Sequence, residues 1–109
     1  MTLVVVTSTV SSEDEAKRLA HALVKERLAA CVQITSIRSI YQWQGAVEEA
    51  EEFRLDCKTP AARKDALMAK IAALHSYDEP EILCVPADAS PGYTAWAEAA
   101  TGAEKTPDA

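Results

Sequence analysis

The chain has 109 residues, and 49% of them are hydrophobic, but 21 are alanine and only 22 are Leu, Ile, Val or Phe. With a net charge of −6, this composition lies near the edge of what folds alone, so one modest domain that leans on a partner subunit is expected. Three scattered glycines, Gly45, Gly92 and Gly102, exclude Walker and GxGxxG phosphate loops, and 11 Lys and Arg against 17 acids, with no basic run, argue against nucleic-acid or anionic-membrane surfaces.

The N-terminus, MTLVVVTSTV, lacks a positive segment, and its apolar run is too short for a secretory signal. No stretch approaches the roughly 18 apolar residues of a membrane helix. A cytoplasmic protein is the expectation. Cys31, Cys57 and Cys84 are odd in number and form no CxxC pair, which suits reduced thiols.

Leu3 to Val6 is a β-branched run that predicts a buried strand. Ser12 and Glu15 predict a capping box. Ala16, Leu19, Ala20, Leu23 and Val24 then repeat at helical spacing, which predicts a helix to about Arg27. Cys31 to Trp43 is rich in β-branched and aromatic residues. Val32 and Ile34 have one parity and Ile37, Tyr41 and Trp43 the other, so a bulge near Thr35 to Ser39 is expected. Gln44-Gly45 is a turn signal, and Val47 to Lys58 makes the second arm of a long antiparallel hairpin. An arm carrying Glu48, Glu49, Glu51 and Glu52 cannot bury both faces in a small domain, so the hairpin should project or pack on another subunit.

Thr59-Pro60 reads as a helix opening, followed by Leu67, Ile71 and Leu74 at helical spacing, with His75 at the end. Ser76 to Pro80 is a connector and Glu81 to Val85 a strand. Tyr93 to Ala100 predicts a short helix carrying Trp96. Residues 1–101 form a single domain on this reading, and 102–109 a frayed polar tail. The order β-α-β-β-α-β plus a terminal helix predicts an α+β, ferredoxin-like sandwich with helices on one sheet face and the other face bare.

Chemistry is thinly signalled. No GxSxG elbow or calcium-loop pattern exists, and no enzyme is expected. His75 and the cysteines are the candidate metal ligands. Against that, a cysteine in an apolar strand usually behaves as a small buried hydrophobe, and a helix-end histidine often caps carbonyls. His21, on the first helix, reads as an edge or solvated position. Tyr41, Trp43, Tyr77, Tyr93 and Trp96 hold five of the six aromatics, which suggests a subunit interface.

Five blocks stand in order: Arg27-Leu28-Ala29-Ala30-Cys31-Val32, Tyr41-Gln42-Trp43-Gln44-Gly45, Glu52 with Lys58-Thr59, His75-Ser76-Tyr77-Asp78-Glu79-Pro80-Glu81, and Tyr93 with Trp96. Together they resemble the CutA family of divalent cation tolerance proteins, over about residues 3 to 100. The resemblance implies a ferredoxin-like protomer in a tight homotrimer, similar to the PII signalling proteins, with a role in tolerance of copper and other divalent metals. It implies no catalytic reaction and no obligatory cofactor, a divalent metal such as copper being the ligand it suggests. His75 and Cys31 match the metal-ligand positions. Trp43, Glu52, Lys58, Tyr77, Glu81, Tyr93 and Trp96 would line intersubunit clefts. Ser8, Leu74 and Ser76 replace a cysteine, a second histidine and a proline found in the family pattern. A copper site built from that cysteine and the two histidines would keep His75 alone, so weak metal binding is implied. The alternative is a PII-like scaffold that takes a small anion or a protein in those clefts.

Overall fold

A computed structural model describes residues 3–103. Its elements are β1 (Leu3–Val10), α1 (Glu13–Lys25), β2 (Cys31–Trp43), β3 (Ala46–Pro60), α2 (Lys64–Leu74), β4 (Ile82–Ala87) and α3 (Pro91–Thr101). The four strands form one sheet in the order β2-β3-β1-β4, with every neighbour antiparallel. This is the expected ferredoxin-like arrangement. Val6 on β1 stands between Cys57 of β3 and Cys84 of β4. Of the polar tail expected over 102–109, the part from residue 104 onward lies outside the described residues.

Strand parity places the core. Val4, Val6, Val10, Leu55 and Cys57 face the helices and pack with Ala16, Leu19 and Leu23 of α1 and Leu67 and Ile71 of α2. The predicted stripe of α1 is therefore its buried face, except that Val24 remains exposed. Ser12 caps α1 by accepting the Glu15 N–H at 3.1 Å. The capping box is half made, because the Glu15 carboxylate accepts from the Ser76 N–H instead, at 3.3 Å.

Thr59-Pro60 does not open a helix. Both residues end β3, and a 3-10 turn over Ala61–Arg63 leads into α2. Thr59 is fully buried, and its hydroxyl donates to the Leu28 carbonyl at 2.7 Å. A part-buried carbonyl left over from the exit of α1 takes the hydroxyl that a helix start would otherwise use.

The second sheet face is not wholly bare. Leu3, of opposite parity to Val4 and Val6, packs with Ala30 and Ala97, with Ala89 and Ala100 alongside. The terminal helix α3 thus covers one end of that face, where small side chains permit close approach. Ser90 caps α3 by accepting the Tyr93 N–H, and Gly102 ends it at φ +73°, a left-handed conformation that favours glycine. Arg63 donates through Nε and Nη2 to the Thr101 carbonyl at 3.1 and 2.8 Å, placing a cation at the negative end of the helix. The rest of the face stays open, with Leu83 and Val85 each 56% exposed.

The hairpin is longer than β1 can cover. Pairing of β1 with β3 ends at Val10 opposite Phe53, while β2 and β3 continue as far as Trp43 opposite Ala46. The distal ribbon therefore projects, and the described chain measures 53 × 24 × 20 Å. Its radius of gyration is 15.0 Å, against about 13 Å for a compact 100-residue domain. Gln44 (φ 51°) and Gly45 (φ 82°) close the ribbon with two positive-φ residues, the signature of a type I′ hairpin turn.

The expected bulge near Thr35 to Ser39 is absent. Every residue from Cys31 to Trp43 has one partner on β3 in unbroken register. The parity switch is therefore one of side-chain pattern alone. Near the core, Val32 packs toward the helices; beyond the end of β1, Ile37, Tyr41 and Trp43 lie on the opposite face, while Ile40, of the same parity as Val32, is exposed.

Candidate functional site

The residues from His75 to Pro80 form a strap across one end of the sheet. Pairing of β4 with β1 stops at Ser8 opposite Ile82, so the Thr9 carbonyl lies beyond the β4 ladder. His75 supplies its partner: Nε2 is 2.9 Å from the Thr9 oxygen. The Tyr77 N–H donates to Nδ1 at 3.1 Å. With Nδ1 accepting, the ring hydrogen is assigned to Nε2, which donates to Thr9. His75 therefore satisfies a strand carbonyl and not the helix-end carbonyls of α2.

Tyr77 leans on the imidazole with ring centroids 4.9 Å apart. Its hydroxyl donates to Glu52 Oε2 at 2.8 Å. Burial raises the Tyr77 phenol well above its ordinary value, and the bonded Glu52 carboxylate and the charge of Glu15 raise it further. The strap is thus tied to β1 through Thr9, to α1 through Glu15 and to β3 through Glu52. The bond from Ser76 to Glu15 requires a backbone N–H, which proline at that position would lack. Glu81 follows the strap and is exposed.

A second group lies at the other end of the sheet, under α3. Cys31 pairs with Lys58, and Lys58 Nζ donates to Gln33 Oε1. Tyr93 stands beside Cys31, and its phenol is raised by burial first and by that thiol second. Tyr93 also packs on Trp96 at 5.5 Å. Glu52, Arg54, Asp56 and Lys58 alternate along one face of β3, so they form a polar row of roughly 20 Å between the two groups. Within it Thr7 donates to Asp56 Oδ1 at 2.8 Å, and Arg54 bridges Asp56 at 3.3 Å. Trp43 is at the ribbon tip, 60% exposed.

The expected cleft residues therefore fall into three places on one chain: Trp43 at the tip, Glu52 with Tyr77 and Glu81 at the strap, and Lys58 with Tyr93 and Trp96 of α3 at the other end. The candidate ligands His75 and Cys31 are not brought together. Thr9 lies opposite Arg54 and Cys31 opposite Lys58, a separation of about 13 Å along the strands. Among the described residues, no three His, Cys, Asp or Glu side chains converge as a metal site would require. Cys57 is buried in the core, and burial, with Asp56 and Cys31 adding, pushes its thiol up to about 12. His21 is exposed, on a groove between α1 and β2. In the acidic run, Glu49 meets Arg38 at 3.1 Å with both side chains largely exposed, which contributes little.

The other two positions expected to depart from the family pattern, besides Ser76, also have clear surroundings. Ser8 lies in the core with a hydroxyl that has no hydrogen-bond partner. Leu74 is exposed beside Ser76, Glu15 and Arg18 in a groove between α1 and α2. The sequence pattern did not mark Thr9 or Glu15 as part of the strap site. Glu15 is visible in sequence only as a capping residue, and Thr9 contributes through its backbone, which no side-chain pattern reveals.

Comparison with known proteins agrees with this architecture. Residues 4–100 match the profile of the CutA1 divalent ion tolerance protein. The chain is 45% identical over 100 residues to the divalent-cation tolerance protein CutA of Thermus thermophilus, covering 90% of this chain and 97% of that one. It is 42% identical to the chloroplastic protein CutA 1 of Oryza sativa over 76% of its own length, but spans only 48% of that longer relative. The solved structure of CutA from Synechococcus elongatus superposes with a TM-score of 0.89 at 40% identity, covering 92% of this chain and 90% of that one. On sequence and fold together, the chain belongs to the CutA1 family of divalent ion tolerance proteins.

Proposed function

We propose that this chain is one protomer of a cytoplasmic homotrimer that confers tolerance of divalent cations, copper among them, without catalysing a reaction. The observation that carries the trimer is where the exposed large apolar side chains lie. Ile40, Tyr41, Trp43 and Val47 are on the ribbon, Leu83 and Val85 on the open sheet face, and Tyr93 and Trp96 on α3. Exposed apolar surface of that extent favours a protein partner, and sheet edges at β2 and β4 offer unpaired backbone to one. In such an assembly Trp43, Glu52, Lys58, Tyr77, Glu81, Tyr93 and Trp96, scattered on one chain, line clefts between chains. Sedimentation of the purified protein at monomer mass in dilute solution refutes the trimer.

For metal contact the reading names His75, flanked by the carboxylates of Glu15 and Glu52. Imidazole and carboxylate oxygens are the donor types that copper and other divalent cations accept. Cys31, far along the sheet, is a separate soft position and not part of the same site. Binding is weak, because the ring nitrogens of His75 already have partners. Calorimetry with Cu²⁺ on the wild type and His75→Ala tests this, and identical isotherms refute it.

A second reading takes the clefts as sites for a small anion or a protein partner, as in PII-like scaffolds. The polar row of β3, which carries Arg54 and reaches Lys58 at the end where the aromatics of α3 lie, favours it. A thermal-shift screen of small carboxylates and phosphates that leaves the melting temperature unmoved counts against this reading.

A further inference from the structure

On the helix side of the sheet, α1 and α2 enclose a groove of 370 Å³ lined by Glu15, Arg18, Leu19, Ala22, Leu74 and Ser76, at the lower end of the range for small-molecule sites. The strap closes one end, where the Ser76 N–H donates to Glu15 Oε2 at 3.3 Å. One turn beyond Ala22 and Leu74, Lys70 bridges Glu26 at 3.3 Å and ties the two helices together. Leu19 and Ala22 give the groove an apolar side on α1, and the half-exposed Leu74 gives it one on α2. Leu74 and Ser76 are both positions at which this chain departs from the family pattern. The exposed apolar residues Leu83 and Val85 lie on the opposite face of the sheet, so a subunit seated on them leaves the groove open.

The groove carries one charge of each sign. Glu15 and Arg18 lie three residues apart on α1, which brings their Cβ atoms within about 5–6 Å. Among the described residues, Arg18 has no ion-pair partner, and Glu15 accepts the Ser76 N–H through one oxygen alone. The guanidinium fork and the second carboxylate oxygen are therefore available to a ligand. A ligand with a carboxylate and no ammonium meets Glu15 as a like charge, and one with an ammonium and no carboxylate meets Arg18 in the same way. A ligand that carries both groups on one carbon satisfies both side chains, and a branched aliphatic side chain covers Leu19, Ala22 and Leu74. We propose that this groove binds a free α-amino acid with an aliphatic side chain, its carboxylate on Arg18 and its ammonium on Glu15. The ligand then shares Glu15 with the strap, so its binding bears on the contact between Ser76 and α1.

Amide NMR titration of the intact protein with L-leucine tests the site. Saturable shifts should appear at the amides of Ala22, Leu74 and Ser76, with a dissociation constant of about 1 mM, the scale for so few ligand atoms on an open groove. Isoamylamine lacks the carboxylate, isocaproate lacks the ammonium and glycine lacks the side chain, and each should bind about tenfold more weakly than L-leucine or worse. Arg18→Ala, at an exposed helix position, removes the partner of the carboxylate and should weaken L-leucine binding about tenfold. Leu74→Ala trims the apolar wall and should weaken it severalfold. The absence of saturable shifts at the groove overturns the proposal. So does any of the three truncated probes binding as tightly as L-leucine, or unchanged binding in Arg18→Ala.

Discussion

Thr59 and Thr94 are both buried threonines, and the same isosteric change should move stability in opposite directions. Thr59 lies on β3 with its hydroxyl donating to the Leu28 carbonyl at 2.7 Å. Thr94 lies on α3, and its Oγ1 has no hydrogen-bond partner. Replacing each with valine keeps the shape and exchanges a hydroxyl for a methyl. At Thr59 the change strands a part-buried carbonyl, at a cost of about 1–3 kcal/mol. Strand preference favours valine and offsets a few tenths of that, leaving a net loss of about 1.5 kcal/mol. At Thr94 no bond is lost and an unsatisfied hydroxyl is removed, so the protein should gain about 1 kcal/mol. Helix propensities of Thr and Val are close enough to leave that sign standing. Guanidinium unfolding at one fixed protein concentration reads the difference and holds any subunit association constant. Equal destabilisation by both variants would refute the reasoning, because it would mean that volume and local propensity, not hydrogen bonding, decide the outcome.

Ser8→Cys should raise stability by about 1 kcal/mol, since a thiol tolerates an apolar core better than an unpaired hydroxyl; an unchanged or lowered denaturation midpoint contradicts this. Cys57 gives a pH dependence with a defined sign. Its thiol is raised from 9.0 to about 12 by burial, so the folded state keeps a proton that the unfolded state releases. The associated stability is intact below pH 9 and is lost as pH rises toward 12, on the order of 4 kcal/mol in all. Unfolding free energy measured between pH 8 and pH 11 should fall less steeply in Cys57→Ala, with Tyr77 supplying part of the remaining slope; identical slopes speak against it. Gly102→Ala should cost about 1 kcal/mol by thermal melting, because alanine must adopt the left-handed conformation that ends α3.

The parts of the fold legible in sequence are those set by near neighbours. The stripe of α1, the Ser12 cap, the Gln44-Gly45 turn and the two long arms each follow from residues a few positions apart. The errors come from distant partners. The parity switch at Ile37 reads as a backbone kink, yet the pairing with β3 runs through it in unbroken register. Thr59 looked like a helix cap because its tie to Leu28 spans the intervening hairpin. The small stripe of α3 could not reveal which side of the sheet it covers. At the site, Tyr77 and Glu52 were marked by the family resemblance, but their hydrogen bond was not. The role of Thr9 depends on β4 being shorter than β1, a matter of strand lengths far apart in the chain.

The unbroken pairing of β2 with β3 sets a rule for how this arm can change in length. One residue inserted in either strand turns every side chain beyond it to the opposite face. Two residues inserted in each strand move the tip outward by roughly 7 Å and preserve both faces. Because the distal ribbon extends past the end of β1, whose pairing stops at Val10 opposite Phe53, such even steps leave the packing of Val4, Val6, Val10, Leu55 and Cys57 on α1 and α2 undisturbed. The arm is thus an adjustable spacer, whose reach can vary among homologues independently of the core, provided that insertions and deletions come in matched pairs.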